Sequence, residues 1–175
     1  MQKISPKTKM MQKTTQKISK NSPKKSSAQP KSSAQPRSLI TFSDGGARGN
    51  PGPAAIGVVL YADDGSSDQI LVGEIKKYIG DQTNNFAEYA ALITALSEGL
   101  RLGYQKVSCF LDSELVVKQM NGQYKVREES LKLLFAKAHE LAENFDQATF
   151  THVRREKNSR ADALVNQALD AETGE

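Results

Sequence analysis

A break in texture at residue 38 decides how much of this chain can fold. Residues 1–37 hold ten Lys or Arg, no acid, and otherwise mostly Ser, Thr, Gln and Pro. The hexapeptide Lys-Ser-Ser-Ala-Gln-Pro occurs twice in tandem, at 25–30 and 31–36. A segment with so little to bury cannot offset the entropy of ordering it, so a disordered basic N-terminal tail is expected over 1–37. A single folded domain is expected over 38–171, within the size of one ordinary domain.

The formal charge of +4 conceals a division between these parts. The tail carries +10, and the other 138 residues carry 14 basic and 20 acidic side chains. Affinity and chemistry are then expected to be divided between them. The tail reads either as a loose tether to nucleic-acid phosphates or as a solubilising extension. An organellar transit peptide fits it less well, because the basic residues are almost all Lys and no apolar stripe runs through them. No apolar run approaches the roughly 18 residues of a membrane span, and no secretory core segment is present. A cytoplasmic, membrane-free monomer is the expectation. The single Cys109 lies in the apolar run 107–111, which suits a reducing compartment and excludes a cysteine-based zinc site.

Periodicity beyond the tail predicts strands at Leu39 to Ser43, Ala55 to Tyr61 and Gln69 to Tyr78, an antiparallel meander. Asp44 ends the first strand, and the Gly-rich stretch after it reads as turn chemistry. A helix is predicted from Thr83 to Leu102, capped by Thr83 or Asn84 and closed by Gly103. Val107 to Leu111 suits a buried parallel strand. Ser113 caps a short helix ending near Met120, and residues 128–145 keep the three-four spacing of an amphipathic helix. Ala148 to Val153 is a fifth strand, and a last helix opens near Asn158 or Ser159. This order, β-β-β-α-β-α-α-β-α, implies an α/β fold: a five-stranded mixed sheet with helices on its faces.

Four acids sit where packing does not ask for them: Asp44 at a strand end, Glu88 at the margin of a helix's apolar stripe, Asp112 at the carboxyl edge of the buried strand, and Asp162 in the first turn of the last helix. Each alone has a plainer account. Asp44 suits a turn, Glu88 a lysine partner, Asp112 a helix cap and Asp162 a helix dipole. Together they point elsewhere. If the first strand lies beside the one ending at Asp112, two carboxylates share a sheet edge and Glu88 can be brought over them. Such a cluster repels itself unless cations neutralise it. Oxygen ligands with incomplete protein coordination suit Mg²⁺, with Mn²⁺ an alternative. Two ions about 4 Å apart can serve both the attacking water and the leaving oxygen of a phosphodiester. The stretch 45–52 lacks the Gly-Lys-Ser/Thr of a nucleotide-binding P-loop and is followed by a strand, so it is no ATP site.

Four segments resemble the motifs of type 1 ribonucleases H: Asp44-Gly45-Gly46-Ala47-Arg48-Gly49-Asn50-Pro51-Gly52, Thr83-Asn84-Asn85-Phe86-Ala87-Glu88, Leu111-Asp112-Ser113-Glu114, and Asn158-Ser159-Arg160-Ala161-Asp162. The resemblance runs from about Leu39 to Leu169. It implies the ribonuclease H-like fold and endonucleolytic cleavage of the RNA strand of an RNA–DNA hybrid, leaving 5′-phosphate and 3′-hydroxyl ends. It also implies two bound metal ions on Asp44, Glu88, Asp112 and Asp162 as catalytic ligands, and substrate contacts from Asn50, Asn84, Asn85 and Ser113. Asn85 and Glu88 are candidates for reading the 2′-hydroxyl that separates RNA from DNA.

This is a short form. The family's mobile histidine loop before the fourth acid is replaced by Val153-Arg154-Arg155-Glu156-Lys157, with His152 read as structural and Arg155 as the candidate phosphate contact. The Lys-rich handle is replaced by residues 121–127, which leaves Lys118, Lys125 and Arg127 to grip the hybrid. A non-catalytic ribonuclease H-like module binding hybrid or structured RNA is the alternative, and the presence of all four acids weighs against it. A resolvase or transposase core fits less well, given the Asn84-Asn85 pair and the small size. A structural role in a replication assembly stays open as an addition.

Overall fold

The computed structural model describes residues 37–63, 65 and 69–174. The expectations for residues 1–36 lie outside these. The chain enters β1 (Ser38–Ala47), β2 (Gly52–Asp63) and β3 (Ile70–Gln82), then α1 (Asn84–Arg101) and β4 (Lys106–Leu111). It continues through α2 (Glu114–Met120), α3 (Glu129–Ala142), β5 (Gln147–His152), a 3₁₀ turn at Arg155–Lys157 and α4 (Ser159–Thr173). The expected element order is borne out. The five strands form one mixed sheet in the order β3-β2-β1-β4-β5. β1 and β2, and β2 and β3, run antiparallel, whereas β4 is parallel to both β1 and β5. No helix among the described residues is long and apolar enough to cross a membrane.

Period-two patterning sorts the core between two faces. Leu39, Ile56, Val58, Leu60, Val107, Cys109 and Leu111 meet Leu92 and Leu96 of α1 in the larger cluster. Ala55 and Val59 of β2 point the other way, to Val165, Leu169, Ala161 and Leu164 of α4. The inner strand β2 therefore feeds both layers. The Cys109 thiol is fully buried, and burial pushes its pKa up to about 12, so it packs as an apolar group.

The first strand departs from expectation. It does not stop at Asp44 but runs to Ala47, so Asp44 lies inside the ladder opposite Gly57. Gly45 and Gly46 are strand residues rather than turn residues, and the reason is steric. A Cβ on Gly45 would lie 2.1 Å from the carbonyl carbon of Ala87 in α1. A Cβ on Gly57 would lie 2.2 Å from the carbonyl oxygen of Ala161 in α4. Glycine here admits two helix backbones, one on each face of the sheet.

Local capping chemistry fixes α1. The Phe86 N–H donates to Thr83 Oγ1 at 3.2 Å, and Gly103 takes the left-handed φ of +77° just past the helix. Thr83→Ala is expected to cost about 1 kcal/mol of stability by urea unfolding, because one first-turn amide loses its acceptor. A cost below about 0.2 kcal/mol would mean that water caps the helix equally well. The third helix ends at Ala142, short of the expected 145. Asn144 and Phe145 donate in tighter i→i−3 bonds, which turn Phe145 back beneath Gly99.

Candidate active site

The parallel register of β1 on β4 pairs Ser43 with Leu111, so Asp44 and Asp112 follow side by side at one sheet edge. Helix α1 crosses that edge on Gly45 and delivers Glu88, which is buried, as is Asp44. Asp44, Glu88 and Asp112 each offer an oxygen within 4.8 Å of the others. Asp162 lines the same cleft, of about 270 Å³, but stands apart from this trio. Its carboxylate pairs with Arg155 and accepts from Asn166 Nδ2 at 3.2 Å. The expected quartet thus shares one cleft as three plus one.

The electrostatics are those of crowded anions with too little positive charge. Burial raises Asp44 from an ordinary 3.8 to about 7, with the charges of Asp112 and Asp162 adding to the rise. Burial raises Glu88 well above the ordinary range, and Asp44 and Asp112 add to it. Arg155 and the Gly45 N–H oppose both shifts. Glu88 Oε2 is buried without a hydrogen-bond partner. An orphaned carboxylate oxygen facing two further acids is costly by itself, and it fits the hard-oxygen ligand set of a divalent cation.

The expected substrate residues lie around this cluster with distinct local duties. Asn50 Oδ1 accepts from the Asn84 N–H at 3.0 Å, and Asn84 Oδ1 accepts from the Ala47 N–H at 3.2 Å. These bonds tie the 48–51 loop to the start of α1. Asn84 lines the cleft, whereas Asn50 does not, and Asn85 is half-buried in the first turn of α1. Ser113 Oγ caps α2 by accepting from the Val116 N–H at 3.4 Å. Arg155 lies at the cleft mouth, 72% exposed. His152 is exposed at the end of β5, with Nε2 3.2 Å from the Asp112 carbonyl oxygen.

Lys118 is committed to Glu114 at 2.7 Å and to the Tyr124 ring and hydroxyl, so it is less available as a grip than the sequence suggests. Lys125 and Arg127 line a separate hollow of about 430 Å³ beside Tyr124. Two side chains escaped the sequence reading as members of the site: Asn166, and Asn158, whose Nδ2 donates to Asp112 Oδ1 at 3.0 Å. In the sequence Asn158 stood only as the opening of the last helix and of the fourth motif.

Residues 42–168 match the protein family described as reverse transcriptase-like. The chain is 45% identical over 129 residues to ribonuclease HI of Halobacterium salinarum, covering 74% of this chain and 63% of that protein. It is 43% identical over 133 residues to the bifunctional protein Rv2228c of Mycobacterium tuberculosis, covering 76% of this chain and 36% of that one. The chain therefore spans about a third of the mycobacterial relative and under two thirds of the archaeal one. Among solved structures it is similar to LC11-RNase H1 from compost in complex with an RNA/DNA hybrid. That likeness has a TM-score of 0.71 and 46% identity, and covers 77% of this chain and 99% of that one.

Proposed function

This chain belongs to the type 1 ribonuclease H family, and from that premise we propose that it hydrolyses the RNA strand of RNA–DNA hybrids, leaving 5′-phosphate and 3′-hydroxyl ends. The observation that carries the reading is the trio Asp44, Glu88 and Asp112, the first two buried, with the unpartnered Glu88 Oε2, beside Asp162 in one cleft. Asp44, Glu88, Asp112 and Asp162 hold the catalytic metals, two Mg²⁺ with Mn²⁺ as a substitute. When bound, such a pair supplies charge to a water-derived nucleophile and to the leaving oxygen.

The chain's own residues do the rest. Asp44 and Asp112 face the scissile phosphate from the sheet edge, and Glu88 with Asn85 reads the 2′-hydroxyl. Asn84, Asn50 and Ser113 hold the strand in register through the first turns of α1 and α2. Arg155 exchanges its bond to Asp162 for one to phosphate, which a 72% exposed guanidinium can reach. Lys125 and Arg127 supply sequence-independent grip, and the basic N-terminal residues add a tether to backbone phosphates. All four acids come from one chain, so a monomer suffices. The buried lone thiol suits the cytoplasm.

The test is an end-labelled hybrid incubated with Mg²⁺, Mn²⁺ or EDTA, beside single-stranded RNA and duplex DNA. Metal-dependent cutting confined to the hybrid's RNA strand is expected, and removal of residues 1–37 should weaken binding without ending cleavage. Hybrid binding with no cutting under either metal would overturn the reading in favour of a binding module.

A further inference from the structure

Asn158 lies immediately before α4, where asparagine ordinarily accepts a hydrogen bond from the first helical turn, yet its side chain makes no capping bond. It is 1% exposed and turned inward. Its Nδ2 donates to the carbonyl oxygen of Ser43 at 2.9 Å, one residue before Asp44, and to Asp112 Oδ1 at 3.0 Å. Its main-chain carbonyl oxygen accepts from the Asp162 N–H at 3.0 Å. One buried residue therefore touches the strand that carries Asp44, the carboxylate of Asp112 and the helical turn that carries Asp162.

We infer that Asn158 is a positioning residue that sets the Asp112 carboxylate for cation binding. This rests on the metal-binding reading above. A carboxylate rotates easily about its last torsion, and a fixed donor on one oxygen removes that freedom while leaving the other oxygen for a ligand. The amide is neutral. It orients Asp112 without placing a positive charge where the cation must sit, as Lys or Arg would. The cap that α4 forgoes is consistent with this use of the side chain.

The experiment is calorimetric titration of Mg²⁺ and Mn²⁺ into the wild-type chain, Asn158→Ser and Asn158→Ala, without substrate, at a temperature where each is folded. Urea unfolding in EDTA is run alongside. Serine can restore the missing cap, so its metal-free stability is expected to stay near wild type even if the alanine variant folds poorly. Cation affinity is expected to fall roughly tenfold, the usual loss when a hydrogen-bond partner of a ligand is removed. Raising the cation concentration should recover most of the turnover. A change below about threefold in the folded variants, whatever their stability, would reduce Asn158 to a tie between α4 and β1 and overturn the inference. If the wild type takes up no divalent cation, it is the metal-binding reading that fails.

Discussion

Asp44→Asn is expected to end strand cleavage, by about 10³-fold or more, while making the metal-free protein harder to unfold. The two effects share one cause. The Asp44 carboxylate is buried beside Glu88 and Asp112, and its pKa of about 7 measures how poorly the folded protein tolerates its charge. Asparagine keeps the shape and an acceptor for the Gly45 N–H but removes the anion. The gain in metal-free stability near pH 8 should be about 2–4 kcal/mol, read from denaturant midpoints in EDTA. Saturating Mg²⁺ should shrink the gain, because only the wild type recovers its cost by binding the ion. A destabilised, still active Asp44→Asn protein would show that the carboxylate is neither a ligand nor a strained charge.

Acid should stabilise this protein when metal is withheld. Above pH 7, Asp44 is ionised in both the folded and unfolded chains, and folding carries the full cost of burying it. Between about pH 7 and pH 4 the folded carboxyl takes up a proton that the unfolded one does not, and the cost is relieved. Stability from this group is thus complete below 3.8 and lost as pH rises through about 7, a swing of about 4 kcal/mol. Glu88 shifts in the same direction and adds to the swing. The half-buried Glu98 and the exposed Glu114 are held low by Arg101 and Lys118 and act oppositely, but only below the ordinary carboxylate range. Unfolding in EDTA at pH 5.5 should therefore require more denaturant than at pH 8. A divalent cation fixed at a hundred times its pH 8 dissociation constant should return about 2.7 kcal/mol at pH 8 and far less at pH 5.5, where protonated carboxyls bind it more weakly. A stability that falls steadily on acidification from pH 8 would contradict the picture of an uncompensated acidic cluster.

Legibility from sequence followed the range of the interactions. The bounds of α1 were readable because Thr83 and Gly103 act within one turn of themselves. The parallel placement of β4 was readable from its short apolar run, although only Val107, Cys109 and Leu111 are buried and Ser108 and Phe110 on the other face are half-buried. The continuation of β1 through Asp44-Gly45-Gly46 was not, since those residue types ordinarily signal a turn. Only the later approach of α1 to Gly45 and of Val165 in α4 to Gly46 explains them as strand. The four acids stood out by type and position, but their division into three plus one did not. That depends on where Arg155 and Asn166 come to rest. Asn158 was hidden more thoroughly, because its position is that of an ordinary cap and only the packed structure shows its amide turned toward Asp112.

The seating of α1 on Gly45 and of α4 on Gly57 has a consequence for how such a protein can change over time. Main chain rests on main chain at both places, so the depth at which Glu88 and Asp162 are presented is set without an intervening side chain. Leucines, isoleucines and valines elsewhere in the two layers form no part of either seat, so their exchange leaves these two backbone contacts in place. The cleft is thereby insulated from drift in the rest of the interior. Divergent sequences can then share one ligand geometry, provided that the two seats stay bare.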